Sequence, residues 1–431
     1  MRILFISTQL PPFIGSANIR ALNYINYLNR LGHEIDVIAV DYPRDSIAYD
    51  ENSEEVFDRE VKIHKISPGL IYNVSYTKKM SKKISDAGTV ENNKPSFKKK
   101  VGLFVKSNIL IPDPFVQWIN PAFKKASSLV KANGVYDCMF SMHETPSSHV
   151  VASRLKRRFP SMKWIGYWSD PWNGDSLRKG RSLFKTILEE KIENNIVKKV
   201  DRFLFTTNST RQMYIDKYKI NPDDTDIVYR GYDEMLYSDI EKEKELPVEL
   251  NKNKINIVHT GTIYKELRDI TPLCKALEKL KYDDYNLFKK IHVLFIGQFT
   301  DTQDENRVKN LENVTVKPLM PYKDALRYVV HADALLLYGN KNSTQVPGKV
   351  YEYLGSKAAI VTLLGDEQDE LQPLMNQVKK GPVVLNEEES ILEALQDIER
   401  NLNSDQNNWS KAAVNYRWDN VVKDLEDKIF N

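Results

Sequence analysis

Apolar residues along this chain fall into short unbroken runs, separated by stretches in which they recur every three or four positions. The runs have the length and β-branched content of strands buried on both faces, and the intervening period is that of an amphipathic helix. Residues 3–7 read as a buried strand, 11–16 as a turn-rich loop, 18–31 as a helix ended by Gly32, and 35–40 as a second strand. Such a βαβ unit stacks into a parallel sheet that places ligands at the carboxyl ends of its strands. The grammar restarts at 255–261, followed by a helix over 272–280 and a strand at 292–297. After 314–318 come a helix over 322–331 and a strand at 334–338. The pattern predicts an α/β protein of two Rossmann-like domains.

Residues 239–247, charged and ended by Pro247, are the expected linker. The domains are then 1–240 and 248–408. A closing segment, 409–431, has helical character with Trp418, Val421, Val422 and Leu425 as its apolar positions. One region departs from the pattern. Residues 78–106 contain nine lysines against only Asp86 and Glu91, which reads as a solvated insertion or as a basic excursion attracted to anionic membrane lipid.

At 431 residues the chain suits two cores of roughly 200 residues each. Hydrophobic content of 41% and charged content of 28% exclude a mainly disordered chain, and a net charge of +3 gives no basic footprint for nucleic acid. Cys138 and Cys274 suggest neither a disulfide framework nor a Cys-ligated metal, so a reducing cytoplasm is expected. The opening run reads as a first strand and not a leader, and no run approaches the roughly 18 apolar residues of a membrane span. Asp224-Thr-Asp226 has the letters of a divalent-ion motif but sits in a turn after Asn221-Pro222, and seven histidines show no paired zinc spacing. No metal and no cofactor are expected.

The most informative stretch is Val346-Pro347-Gly348-Lys349 running through Glu352 to Leu354, a short helix that delivers the chain into an apolar strand. Pro347 suits a helix start, Gly348 lets backbone approach a ligand, and Lys349 adds positive charge where a phosphate would lie. Glu352, one turn on, is placed to accept from both hydroxyls of a ribose, although Lys and Glu three apart also form an ordinary helix pair. The loop 260–269, between strand and helix, offers Gly261, Thr262, Lys265 and Arg268 at the same sheet edge. Arg268 is the candidate for a diphosphate because a guanidinium grips phosphate oxygens in a fixed fork. In the first half, the strand from Tyr136 ends at His143-Glu144, and the strand 164–168 ends at Asp170-Pro171-Trp172. Asp170 is the candidate to orient an acceptor hydroxyl and His143 to hydrogen-bond a sugar. Both also suit turn-making and structural roles.

Pro-x-Lys-x-x-Glu-Tyr-Leu after the apolar strand 334–338 resembles the donor-binding signature of retaining GT-B glycosyltransferases of family four. The resemblance covers nearly the whole chain outside 78–106. It implies two Rossmann-like domains facing across a cleft, with the C-terminal helix crossing back to the N-terminal domain. It also implies a nucleotide-sugar donor, UDP- or GDP-linked, and a metal-independent hexosyl transfer that retains anomeric configuration. Thr344 stands where the family carries a second acidic residue against the donor sugar, and Ser16 replaces the second glycine of a Gly15-Gly pair. Arg268, Lys349, Glu352, Asp170 and His143 are thus the catalytic candidates. Gly15, Ser16, Gly261, Thr262, Lys265, Thr344, Val346, Pro347 and Gly348 are the donor-binding ones, and Arg20, Glu144 and Trp172 the acceptor-binding ones. Asp-Pro-Trp resembles a subgroup of bacterial surface-polysaccharide synthesis, which implies a saccharide or lipid-linked saccharide acceptor and work at the inner face of the membrane. UDP-sugar 2-epimerases share this architecture, and a non-catalytic nucleotide-sugar-binding subunit fits the replacements at 16 and 344.

Overall fold

The apolar runs of the first half become seven strands: β1 (Arg2–Ile6), β2 (Glu34–Val40), β3 (Lys62–Ile66), β4 (Cys138–Met142), β5 (Lys163–Trp168), β6 (Arg202–Phe205) and β7 (Thr225–Ile227). They form one parallel sheet in the order β3-β2-β1-β4-β5-β6-β7. Ile3 pairs with Ile35 on one side and Cys138 on the other, so the strand order reverses between β1 and β4. The computed structural model describes residues 1–13, 16–49, 57–77, 110–172, 182–243, 245–343, 345–404 and 408–430. Expectations placed on Gly15, Thr344, the side chain of Ser16 and the basic excursion 78–106 lie outside the described residues.

The second half builds a parallel sheet of β8 (Ile255–Ile263), β9 (Ile291–Phe299), β10 (Val314–Lys317), β11 (Ala334–Tyr338), β12 (Ala359–Leu364) and β13 (Val383–Leu385). Its order is β10-β9-β8-β11-β12-β13, with the reversal between β8 and β11. Every residue of β4, β11 and β12 is buried. That is why these strands read as continuous apolar runs: helices cover both faces of a parallel sheet.

Two compact units result, one of Met1–Val228 with the chain end from Val422, the other of Tyr229–Val421. The boundary therefore falls ahead of the charged segment 239–247, because that segment belongs to the second unit. Helix Glu234–Glu241 is capped by the Asp233 carboxylate, Tyr237 donates to the carbonyl of Glu352 at 2.5 Å, and Arg327 holds Glu243 at 2.5 Å.

The closing segment also differs from the expected helix over its whole length. Only Trp418–Phe430 is α-helical, after a 3-10 turn at Val414–Tyr416. Residues before it give their backbone bonds to distant partners instead. Ala413 donates to the carbonyl of Leu354 at 2.8 Å, and the buried ammonium of Lys380 reaches the carbonyls of Lys411 at 2.6 Å and Ser356 at 2.9 Å. In the first unit the end of the chain is held by a His33–Glu426 contact of 2.7 Å and by Lys163 donating to the carbonyl of Ile429 at 2.6 Å.

Candidate functional site

In the second unit the expected residues gather where its strand order reverses, at the carboxyl end of β8. Strands β8 and β9 stay paired out to Ile263 and Phe299, which brings Gly261 against Gly297. Both take positive φ, 121° and 150°, and a Cβ on Gly297 would lie 1.8 Å from the carbonyl oxygen of Gly261. Only glycine permits that approach. The open face of Gly261 is covered by the stem of Lys349, whose Cε lies 3.7 Å from where a Cβ would stand.

Arg268, half-buried, donates from Nη1 to the carbonyl of Thr262 at 2.7 Å and from Nε to Oδ1 of Asn340 at 3.1 Å. Burial lowers its pKa, opposed by the neighbouring tyrosines 353, 264 and 338 and by Asp369. A guanidinium stays charged through such a shift. Two of its nitrogens are thus fixed by protein, and the group is held rigid at the sheet edge. Lys349 pairs with Glu352 at 2.8 Å, both side chains partly exposed. Arg268 and Lys349 both act on His259, which is buried on β8 and held down to about 3, first by desolvation and then against the carbonyl of Leu336 by these two cations.

The helix Lys349–Gly355 has only seven residues, and Pro347 lies ahead of its N-cap, Gly348, and not at its first position. Two turns sum few peptide dipoles, so side-chain cations carry most of the positive field here. Lys265 is not one of them. It is exposed and bound to Asp301 at 2.5 Å, and its backbone N–H donates to Oγ1 of Thr300 at 3.1 Å. The cation that sequence reasoning missed is Arg230, whose Nη1 lies 2.8 Å from where a Cβ of Gly348 would be. Gly348 thus makes room for a guanidinium against its own backbone. Val346 is partly buried and Pro347 buried, so both shape the turn into the helix. Asn340, two residues past the end of β11, was also missed; a polar residue just beyond a switch-point strand was its available signal.

In the first unit a second constellation lies where β1 and β4 part. Arg20, on helix Ser16–Arg30, forms an ion pair with Glu144 just past β4, with side chains only 1% and 4% exposed. Ser169 Oγ lies 2.9 Å from Oε2 of Glu144 and 3.0 Å from Oδ2 of Asp170. Arg20, Glu144, Ser169 and Asp170 therefore form one connected line across three elements. The Arg20 guanidinium packs 4.9 Å over the Tyr167 ring, and desolvation is outweighed by Glu144, Tyr167 and Tyr24, which raise its pKa.

His143 and Trp172 depart from their expected places on a sugar-facing surface. They are 3% and 1% exposed. Their rings lie 5.5 Å apart, and His143 also stacks on Trp168 at 6.2 Å, while the Trp172 backbone donates to Tyr214 at 3.2 Å. Both residues lie in the turn that follows β4, where Glu144 meets Arg20 and His143 enters the aromatic core. Asp226 of the supposed divalent-ion motif is paired with Arg202 at 2.6 Å. Among the described residues no cluster of three His, Cys, Asp or Glu side chains could hold a metal, and no helix is long and apolar enough to cross a membrane.

The two sheets and their order define the GT-B fold. No protein-family profile matches the chain, and no curated protein matches it in sequence. Solved structures do match in shape. Anabaena HepE in complex with UDP aligns at 11% identity with a TM-score of 0.60, over 100% of this chain and 99% of that one. Sucrose-phosphate synthase of Thermosynechococcus elongatus aligns at 14% identity and 0.59, over 99% and 97%. A glycosyltransferase of Rickettsia africae aligns at 15% identity and 0.57, again over 99% and 97%.

Proposed function

We propose that the protein is a glycosyltransferase that moves a hexosyl group from a nucleotide-sugar donor to a saccharide or lipid-linked saccharide, with retention and without a metal. The observation that supports this best is the set of Arg268, Lys349 and Glu352 at the switch point of the second sheet, two cations and one carboxylate with the chemistry for a diphosphate and a ribose. Arg230 beside Gly348 adds a third cation. HepE, aligned over its full length, was solved with UDP, which favours a nucleoside diphosphate ligand here.

In this reading Arg268, Arg230 and Lys349 hold the donor diphosphate and stabilise the charge that grows on it as the glycosidic bond breaks. On binding, Lys349 exchanges part of its bond to Glu352 for phosphate, and the freed Glu352 carboxylate accepts from the ribose hydroxyls. The acceptor hydroxyl attacks the face from which the diphosphate departs and gives its proton to that diphosphate. Asp170 orients the acceptor. Glu144 is better placed as its support than as a sugar contact, since its two oxygens are engaged by Arg20 and Ser169. A place in bacterial surface-polysaccharide synthesis, capsule or O-antigen in type, at the inner face of the membrane completes the proposal on the Asp170-Pro171-Trp172 resemblance.

A 2-epimerase acting on the same class of donor is the second reading. It is favoured by the likeness to a Listeria monocytogenes structure assigned to UDP-N-acetylglucosamine 2-epimerase, at 11% identity and a TM-score of 0.56. The deciding experiment is thermal unfolding with UDP, GDP or ADP in EDTA, on the wild type and Glu352→Ala. At one hundred times its dissociation constant a ligand stabilises by about 2.7 kcal/mol. A shift with one nucleotide that Glu352→Ala abolishes supports the site, and its absence with all three refutes it. Sugar release that depends on an added acceptor then separates transfer from epimerisation, and binding without any turnover would indicate a non-catalytic subunit.

A further inference from the structure

On the helical layer of the first unit, helices Ile119–Asn133, Pro146–Arg158 and Leu183–Val197 enclose a groove of about 810 Å³. Its volume is that of a small-molecule site. The floor is apolar, built from Ile111, Val116, Phe123, Val150, Ile192 and Ile196, and most of these are only partly buried although they pack on the core. The rim is basic. Lys124, Arg154, Arg157 and Lys199 line it, and among the described residues no lining residue is acidic.

These cations have no carboxylate partner among the described residues. Arg154 is bonded to Asn120, and Lys199 to Asn195 at 2.6 Å and Ser153 at 3.1 Å. Arg157 and Lys199 sit at the carboxyl ends of two helices, where a dipole favours each cation singly. That does not account for their crowding. After desolvation, Arg157 is what depresses the pKa of both Arg154 and Lys199, so three cations converge at mutual cost.

We propose that this groove binds a phosphate-bearing amphiphile drawn from a lipid phase, with its apolar chain along the floor and its phosphate on Arg154, Arg157 and Lys199. A focused trio of cations suits one compact dianion better than the spaced carboxylates of an acidic helix. The open apolar floor distinguishes the site from one for a free ion. The inference is independent of the nucleotide-sugar reading.

The test titrates the full chain, below the micellar concentration, with palmitoyl lysophosphatidic acid, with lysophosphatidylcholine of the same chain, and with inorganic phosphate alone. Native mass spectrometry reads stoichiometry and calorimetry reads affinity. One equivalent of the phosphomonoester lipid should bind. The phosphocholine lipid should bind about tenfold more weakly, as should the phosphomonoester to Arg157→Gln, whose side chain is exposed and whose thermal midpoint should match wild type. Lys199→Gln is the second variant should that midpoint fall. Equal binding of the two lipids, equal binding of phosphate alone, or affinity unchanged in both variants would overturn the proposal. Self-association without lipid that Arg157→Gln abolishes would make a second copy the occupant and overturn it too.

Discussion

The two units place charge at the same point of the same sheet topology and use it in opposite ways. At the β1/β4 switch point, Arg20 and Glu144 are sealed from water and balance each other's charge through Nη2, while Nε and Nη1 of Arg20 have no hydrogen-bond partner among the described residues, and Ser169 and Asp170 extend the line. At the β8/β11 switch point, Lys349 and Glu352 are 35% and 24% exposed, and Arg268 and the Arg230 guanidinium beside Gly348 add positive charge. The first arrangement balances its charge internally, out of reach of water, and fixes geometry. The second leaves charge where a ligand can still reach it, which is the condition for binding an anion.

The largest test of this contrast replaces one carboxylate in each unit by its amide. Glu144→Gln leaves the Arg20 guanidinium buried without a counter-charge and should cost about 3–5 kcal/mol in urea unfolding. Glu352→Gln, in a pair open to solvent, should cost less than about 1 kcal/mol. Equal costs would mean that the two sites do not differ in the way described.

Acid should weaken both units, most through one fully buried histidine in each. His149 on helix Pro146–Arg158 and His259 on β8 are held down to about 3, chiefly by burial, against an ordinary value of 6.5. Below pH 6.5 the unfolded chain takes up protons that the folded chain refuses, so stability falls as pH drops from 6.5 toward 3. At about pH 4.5 each should contribute a loss of about 2–3 kcal/mol. His259→Gln should reduce the slope of stability against pH by one proton over this range. An unchanged slope would show that His259 takes up its proton in the folded state as readily as in the unfolded one.

Much of this was legible before any coordinates, and what was not has a physical pattern. The β11 run and the Pro347-Gly348 turn announced strand and helix because burial on both faces demands continuous apolar residues and turns demand these two residue types. The place of Arg268 at the sheet edge was legible for a similar reason, since it follows β8 in a loop whose position the topology fixes. Long-range placement was not legible. Arg230 approaches Gly348 only through the packing of the second unit, and no local pattern marks it. His143 and Glu144 are neighbours in sequence, and only the path of the turn after β4 decides which of them joins Arg20 and which enters the aromatic core.

A smaller effect is expected at the site itself. Arg268→Gln removes a charge-assisted contact that the amide cannot replace and should weaken nucleoside diphosphate binding by about 10- to 100-fold, read by calorimetry. Gly348→Ala should weaken it as well, because its methyl must displace the Arg230 guanidinium. Retained affinity in both would remove the cationic site from the second unit and dissolve the contrast.

The smallest effect sharpens the comparison most, because it separates cations that share one loop. Lys265 and Arg268 are three residues apart, and the sequence analysis made Arg268 the diphosphate candidate and Lys265 a further donor-binding one. The fold divides them. Arg268 is fixed to the Thr262 carbonyl and to Asn340 at the sheet edge, whereas Lys265 is exposed and neutralised by Asp301, whose own carboxylate also caps helix Thr302–Lys309. An exposed pair of this kind contributes little, since solvent screens it and two long side chains lose freedom to form it. Lys265→Ala should therefore leave nucleotide affinity within about twofold of wild type in the same titration that registers the loss in Arg268→Gln. A loss as large as that of Arg268→Gln would mean that Lys265 abandons Asp301 for the phosphate, and that the loop 264–268 rearranges when the ligand binds.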